Sequence, residues 1–383
     1  MGFSEIDFGD VRQIVWDTRR ALPPPPAEHP EWKPDDVQAL TMLHRFGPLM
    51  TTQIGREIWP VRTERTVQRR MEALYRHGLV NRFHMATSVR HPYIYTLAEE
   101  GFKVAKEGPN EDGRNYLDPT VKFSAANDEI PDPVPADSKW RESEIKSGLY
   151  VLHNLHAAGW ALAAGQLLRD AAKRVHGGRE SSCALRPPRG FGTRADVSMR
   201  GNRSVGDLQL ERFSPIWADA RLDVHVREHH MTHWYIECDR TGRPSKNSKK
   251  FAAYDAMFNG WGQALNAYQQ HLPIVIFVCM DERSVLTHLV AADRDMTGWV
   301  AGLVGKLEDR VYIGRQRTWF VTELDVHRGS LRAWRLPDLP PAARKALNYP
   351  DKMRPVIKSL VPPDRLRPRP APRGPSRRQR QAA

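Results

Sequence analysis

Cysteine is nearly absent: 383 residues hold only Cys183, Cys238 and Cys279, far apart and with no CxxC pair. So sparse and odd a set excludes a disulfide framework and suggests a reducing compartment. Cys238 and Cys279 fall in strand-like runs and read as plain core residues. Long apolar runs are also lacking: stretches such as "PIVIFVCM" (Pro273–Met280) fall far short of the roughly 20 residues that span a bilayer. The opening "MGFSEIDFGD" has no basic leader, no apolar signal core and no Ser or Thr at position 6 for myristoylation. The expectation is a cytoplasmic protein with no membrane partner.

Several chemistries lack their motif. "GLVGKLE" (Gly302–Glu308) has neither the spacing nor the Ser or Thr of a phosphate loop, and "GFGTRADVSMRGNRS" has no strand-loop-helix context for a dinucleotide. "HVREHHMTH" gathers His225, His229, His230 and His233 without HExxH order, and its middle falls in an expected turn, so turn histidines are a better account than zinc. No internal repeat is present.

What the chain does have is positive charge: 58 Lys and Arg against 45 Asp and Glu, a net +13. Such a field favours polyanionic partners, nucleic acid first and an anionic membrane second. Eleven tryptophans argue against global disorder. Composition divides the chain into a leader with a proline-rich spacer (1–34), a helical domain (35–106), an acidic proline-containing linker (107–137), a larger α/β domain (138–337) and a carboxy-terminal extension (338–383). The last 22 residues, Pro362–Ala383, hold seven arginines and almost nothing to bury, which reads as a disordered tail adding salt-sensitive DNA affinity or docking a protein.

In the first domain, "DDVQALTMLHRFG" puts Val37, Leu40, Leu43 and Phe46 at helical spacing behind Asp35 or Asp36 as N-cap. "TTQIGREIW" predicts a short second helix capped by Thr51 or Thr52. "TERTVQRRMEALYRHG" predicts a third, capped by Thr63, with Val67, Met71 and Leu74 inward and Gly78 closing it. "LVNRFHM" and "HPYIYTL" then alternate as a hairpin, and "AEEGFKVA" ends the domain as a helix. That order is a winged helix-turn-helix, whose third helix enters a DNA major groove. Arg65, Thr66, Gln68, Arg69 and Arg70 are the candidate DNA contacts on that helix, since Arg and Gln reach guanine and adenine edges. Arg90, with His84 and His91, is placed on the wing for the backbone. A basic helical domain that binds a protein or an acidic segment is the alternative.

In the second domain, "ARLDVHVRE" and "THWYIECDRTG" both alternate. Paired as a hairpin turning at His230, they set Leu222 opposite Cys238, Val224 opposite Ile236 and Val226 opposite Trp234. Asp223 then opposes Glu237, with Asp239 two residues on. Opposed like charges destabilise a sheet unless a cation or a raised pKa offsets them. Magnesium suits two carboxylates, because it keeps waters for a phosphate substrate. The other outcome is an ordinary salt-bridged sheet end, with Arg221 on Asp239 and Arg240 on Glu237. "GRPSKNSKKFAAYDAMFNGW" predicts a helix carrying Lys246, Lys249 and Lys250 in its first turns, "LPIVIFVCMD" a central strand, "DERSVLTHLVAADR" a helix and "TWFVTEL" a further strand.

"HWYIECDRTG", the lysine-bearing helix after it and a tyrosine, joined to the winged helix, resemble the replication-relaxation family of bacterial plasmids and mobile elements, over roughly Asp35 to Leu336. The resemblance implies an α+β chain: an N-terminal winged helix-turn-helix domain, then an α/β PD-(D/E)xK nuclease-like domain with a mixed central sheet. It implies Asp223 and Glu237 as catalytic acids and Mg2+ ligands. Asp239 replaces the usual lysine as a catalytic or further metal position, and Lys249 or Lys250 supplies the ammonium from the helix. Glu142 or Glu144 is a weaker helical acid. The implied function is binding, and nicking or engaging, plasmid or mobile-element double-stranded DNA. Against it stands a non-catalytic regulator, a repressor or replication-control factor whose second domain serves dimerisation or partner binding. A third reading is an adaptor for a relaxase. Homodimerisation and a replication or relaxase partner are both compatible with the sequence.

Overall fold

A computed structural model describes residues 14–15, 32–59, 62–85, 93–107, 148–175, 195–196, 204–205, 208–209, 217–225, 231–239, 244–264, 273–299, 310–349 and 353–360. Arg90, Arg240, Glu142, Glu144, the linker centre and the arginine tail lie outside the described residues.

The first unit begins with β1 (Ile14–Val15) and α1 (Pro34–Phe46). Pro34 at the first helical position is preset for the helix, and Asp36, at N3, accepts from the Lys33 backbone N–H at 2.8 Å. The N-cap is therefore Lys33 rather than Asp35 or Asp36, because the helix already starts at Pro34. β2 (Leu49–Met50) leads into α2 (Thr51–Ile58), whose N-cap is Met50 rather than a threonine. Gln53 closes that end, its Oε1 accepting from the Met50 N–H at 2.8 Å. α3 (Glu64–Arg76) is capped by Thr63 as expected, Oγ1 accepting from the Thr66 N–H at 3.3 Å. It ends where Gly78 takes a φ of +70°, the left-handed turn that favours glycine.

β3 (Val80–Met85) and β4 (Ile94–Leu97) form the expected hairpin, and α4 (Glu99–Glu107) follows. The sheet order is β1-β3-β4-β2. Arg82 ties the hairpin to α3: its guanidinium lies over Tyr75 at 4.2 Å and Tyr93 at 4.5 Å from the ring centroids and pairs with Glu72. α4 docks so closely that a Cβ on Gly101 would stand 2.0 Å from the Leu79 carbonyl oxygen.

α5 (Gly148–Val175) opens the second unit. Small ladders follow, β5 (Ala195–Asp196) with β8 (Trp217–Ala218) and β6 (Ser204–Val205) with β7 (Leu208–Gln209). Then come β9 (Ala220–His225), β10 (Met231–Asp239), α6 (Pro244–Ala264), β11 (Ile274–Cys279), α7 (Glu282–Asp295), α8 (Ile313–Arg317), β12 (Thr318–Thr322), α9 (Glu323–His327), β13 (Arg332–Arg335), α10 (Pro341–Ala346) and β14 (Val356–Ser359). The expected strand "TWFVTEL" stops at Thr322, whose side chain accepts from the Asp325 N–H and caps α9.

The main sheet has the order β14-β13-β12-β11-β10-β9, with β10, β11 and β12 parallel and the remaining pairs antiparallel. The chain is α+β with a mixed sheet. β11 is buried along its whole length, which explains its unbroken apolar sequence. Period-2 alternation sorts β10 onto two cores. Trp234, Ile236 and Cys238 join the core that α5 covers, while Tyr235 joins Phe251, Tyr254 and Phe277 under α6 and α7. The first core continues into the first unit through Leu40, Ile54 and Met71, and Gln53 Nε2 donates to the Leu155 carbonyl at 2.9 Å. No helix among the described residues is long and apolar enough to cross a membrane.

Gly101→Ala should destabilise the first unit by about 1–3 kcal/mol, since the new methyl meets backbone rather than a yielding side chain. Urea unfolding followed by the far-ultraviolet helix signal checks it; a loss under about 0.5 kcal/mol would contradict this packing.

Candidate functional site

The β9–β10 ladder decides which acids meet. Leu222 pairs with Trp234, Asp223 with His233 and Ala220 with Ile236. The expected register is therefore slipped by four residues, and Asp223 does not oppose Glu237. An even slip keeps every side chain on its face, so the apolar pattern fits both registers equally well. Just before Ala220, the first residue of that ladder, stands Asp219, in a bend outside the strands. Its backbone N–H donates to the Ile236 carbonyl at 2.9 Å, and its Oδ2 accepts from the Cys238 N–H at 2.8 Å. The acid whose charge acts on Glu237 is Asp219, which shares the Lys250 ammonium with it.

Glu237 is 1% exposed. Its Oε2 takes the Lys250 ammonium from α6, and its Oε1 accepts from the Tyr254 hydroxyl at 2.5 Å, one turn further along that helix. Burial, then the Asp219 charge, push its carboxyl up to about 8 against the pull of Lys250 and Tyr254. Lys250 Nζ also stands 3.9 Å from Asp219 Oδ1. Burial would lower Lys250, but the two carboxylates outweigh it and hold the ammonium charged. From α5, His153 Nε2 lies 2.9 Å from the Cys238 carbonyl and 3.3 Å from Asp219 Oδ2. Burial works against charge on both partners; their mutual attraction prevails, raising His153 and lowering Asp219. Tyr254, buried and facing an acid, is held well above the ordinary phenol range, which suits a donor to Glu237 and not a nucleophile.

Asp239 does not join this group. It lies against His288 Nε2 at 2.7 Å and accepts from Asn247 Nδ2 at 2.5 Å. Burial would lower His288, but the Asp239 bond leads the effects that raise it to about 10. The position where a catalytic lysine was expected instead locks β10 to α6 and α7. Lys249 points to solvent while Lys250 turns inward, as a helix step of about 100° requires for adjacent residues. Glu237 is paired by Lys250 and the Arg221 backbone lies opposite Tyr235, while the Arg221 side chain and Arg240, the expected salt-bridge partners, lie outside the described residues. Among the described residues no three His, Cys, Asp or Glu side chains are grouped to hold a metal ion.

On α3, Arg65, Thr66 and Arg69 are exposed, and Gln68 Nε2 approaches Glu64 Oε1 at 3.4 Å. Arg70 turns back instead, its Nε and Nη2 donating to the fully buried Asp36. Residues 40–130 match the family model described as replication-relaxation. The chain carries a replication-relaxation region. This region spans most of the first unit and most of the linker, which supports a replication-related function. The acid–lysine site lies beyond it, as does the "HWYIECDRTG" stretch that carried the resemblance. No curated protein and no solved structure matches the chain.

Sequence reasoning found Glu237 and Lys250 but missed Asp219, His153 and the Tyr254 contact. Only the tyrosine had a signal, four residues after Lys250 on the helix face that meets β10.

Because Glu237 is raised from 4.5 to about 8 in the fold, its contribution is fully present below pH 4.5 and is lost as pH rises to about 8. Denaturant midpoints from pH 5 to 8 should fall in the wild type and fall less in Glu237→Gln. Parallel slopes for the two proteins would remove Glu237 as the cause.

Proposed function

We propose that the chain binds double-stranded DNA of a plasmid or other mobile element through a winged helix and cuts or engages one strand at Asp219, Glu237 and Lys250. The observation that carries this reading is the meeting of Glu237 on β10 and Asp219 on the approach to β9 with one helical ammonium at the end of a mixed sheet. That is the chemistry of a PD-(D/E)xK site, with its lysine supplied by α6 rather than by β10.

The residues fit Mg2+, which binds through one or two carboxylates and keeps its waters. A divalent ion held by Asp219 and Glu237 would relieve the burial and repulsion that raise Glu237. When bound, it supplies positive charge for the phosphate. Lys250, half-exposed, pairs with the same phosphate group. Asp219, kept ionised by His153, accepts a hydrogen bond from an incoming water and orients it. Tyr254 holds Glu237 in place.

The enclosure of Glu237, with both oxygens taken, favours a second reading. On it the sheet end is a structural ion-pair network, and the chain is a DNA-binding regulator.

Supercoiled plasmid incubated with Mg2+, Mn2+ or EDTA separates the two. Metal-dependent nicking is expected, falling at least about 100-fold in Asp219→Asn, Glu237→Gln and Lys250→Ala, and unchanged in Asp223→Asn and Lys249→Ala. Tight DNA binding with no nicking would establish the regulator. On the binding side, Arg65→Ala and Arg69→Ala should each weaken DNA affinity, and each lost phosphate contact should flatten the log–log salt slope by about 0.9. Unchanged slopes would move the DNA face away from α3.

A further inference from the structure

α3 does not present one uniform outer face. Glu64, Arg65 and Gln68 lie on one side, while Thr66, Arg69, Arg70 and Ala73, at i, i+3, i+4 and i+7, line a cleft against the start of α1. The cleft has a volume of about 320 Å3, within the range of small-molecule sites and far larger than a lone phosphate needs. Its wall is mixed: Val67, Ala73 and Trp59 give apolar surface, and Lys33, Arg62 and Arg69 are exposed cations along it.

The two acids of the cleft only partly offset its four cations, Lys33, Arg62, Arg69 and Arg70. Asp36 is taken by Arg70 and the Lys33 N–H. Asp35 Oδ2 accepts from Trp59 Nε1 at 3.1 Å, which fixes the indole edge in the wall. Among the described residues Lys33, Arg62 and Arg69 form no ion pair, and Asp35 Oδ1 has no hydrogen-bond partner. Three unpaired cations repel one another, and an anion relieves that repulsion. The apolar floor asks for a flat, weakly polar group on the same ligand, and Asp35 Oδ1 asks for a donor on it.

We propose that this cleft binds a nucleoside monophosphate unit. The phosphate meets Arg62, Arg69 and Lys33, the base lies against Trp59, Val67 and Ala73, and an amine or hydroxyl donates to Asp35. The unit arrives either as a free nucleotide or as an unstacked nucleotide of a strand beside the duplex read by α3. The site is separate from the acid–lysine group and does not depend on that group being catalytic.

The test is calorimetric titration of the full chain with deoxynucleoside monophosphates, with inorganic phosphate and with a short single-stranded oligonucleotide. The variants are Arg69→Ala, which removes charge, and Ala73→Leu, which fills the cleft and leaves charge unchanged; circular dichroism confirms that both fold. Monophosphates should bind at least about tenfold more tightly than phosphate, and each variant should weaken them about fivefold or more. Displacement of the monophosphate by the oligonucleotide, with the same variant sensitivity, assigns the cleft to a strand; failure to displace assigns it to a free nucleotide. Binding no tighter than phosphate, or insensitivity to Ala73→Leu, would overturn the proposal.

Discussion

A carboxylate removed from water must be matched by charge, by hydrogen bonds or by a proton, and Glu237 imposes that requirement on everything around the end of β10. Lys250 answers with charge and Tyr254 with a hydroxyl, so α6 must cross the strand with residues 250 and 254 facing down. Asp219 raises the demand by adding a second acid, and His153 answers that one from the opposite layer. Four elements are therefore committed by one side chain: β10, α6, the approach to β9, and α5. A structural network would reach lower free energy with fewer buried charges, since apolar replacements of buried ion pairs are commonly neutral or stabilising.

The same helix that steadies Asp219 also carries the first unit. His153 reaches the acids, and two residues later the Leu155 carbonyl receives Gln53 from α2. His156 then pairs with Glu323 on α9. The core runs without interruption from α1 and α3 through α5 to β10 and β11.

Much of this was legible in the sequence. The Val67, Met71 and Leu74 spacing, the Thr63 cap and the Gly78 stop define α3 unaided, and alternation put Glu237 and Asp239 on one face of β10. Register was not legible. The side-chain period along a strand is two, so Leu222 opposite Cys238 and Leu222 opposite Trp234 both bury apolar pairs. What decides is the connection: the described pairing ends at His225↔Met231, nearer the start of β10 than a turn at His230 allows. His153 had no signal at all, because 85 residues separate it from Cys238 and nothing local distinguishes it from other helical histidines.

Asp239 anchors the start of α6 and α7 against β10. A lysine there would project from β10 beside Glu237, into the space that Asn247 and His288 now occupy. With aspartate instead, β10 gains an anion that His288 neutralises, and Asn247 is drawn onto the same oxygen. Asn247 sits three residues before Lys250, nearly one helical turn. Fixing the first therefore fixes where the second arrives. Asp239 is thus the anchor from which the helix brings Lys250 to Glu237.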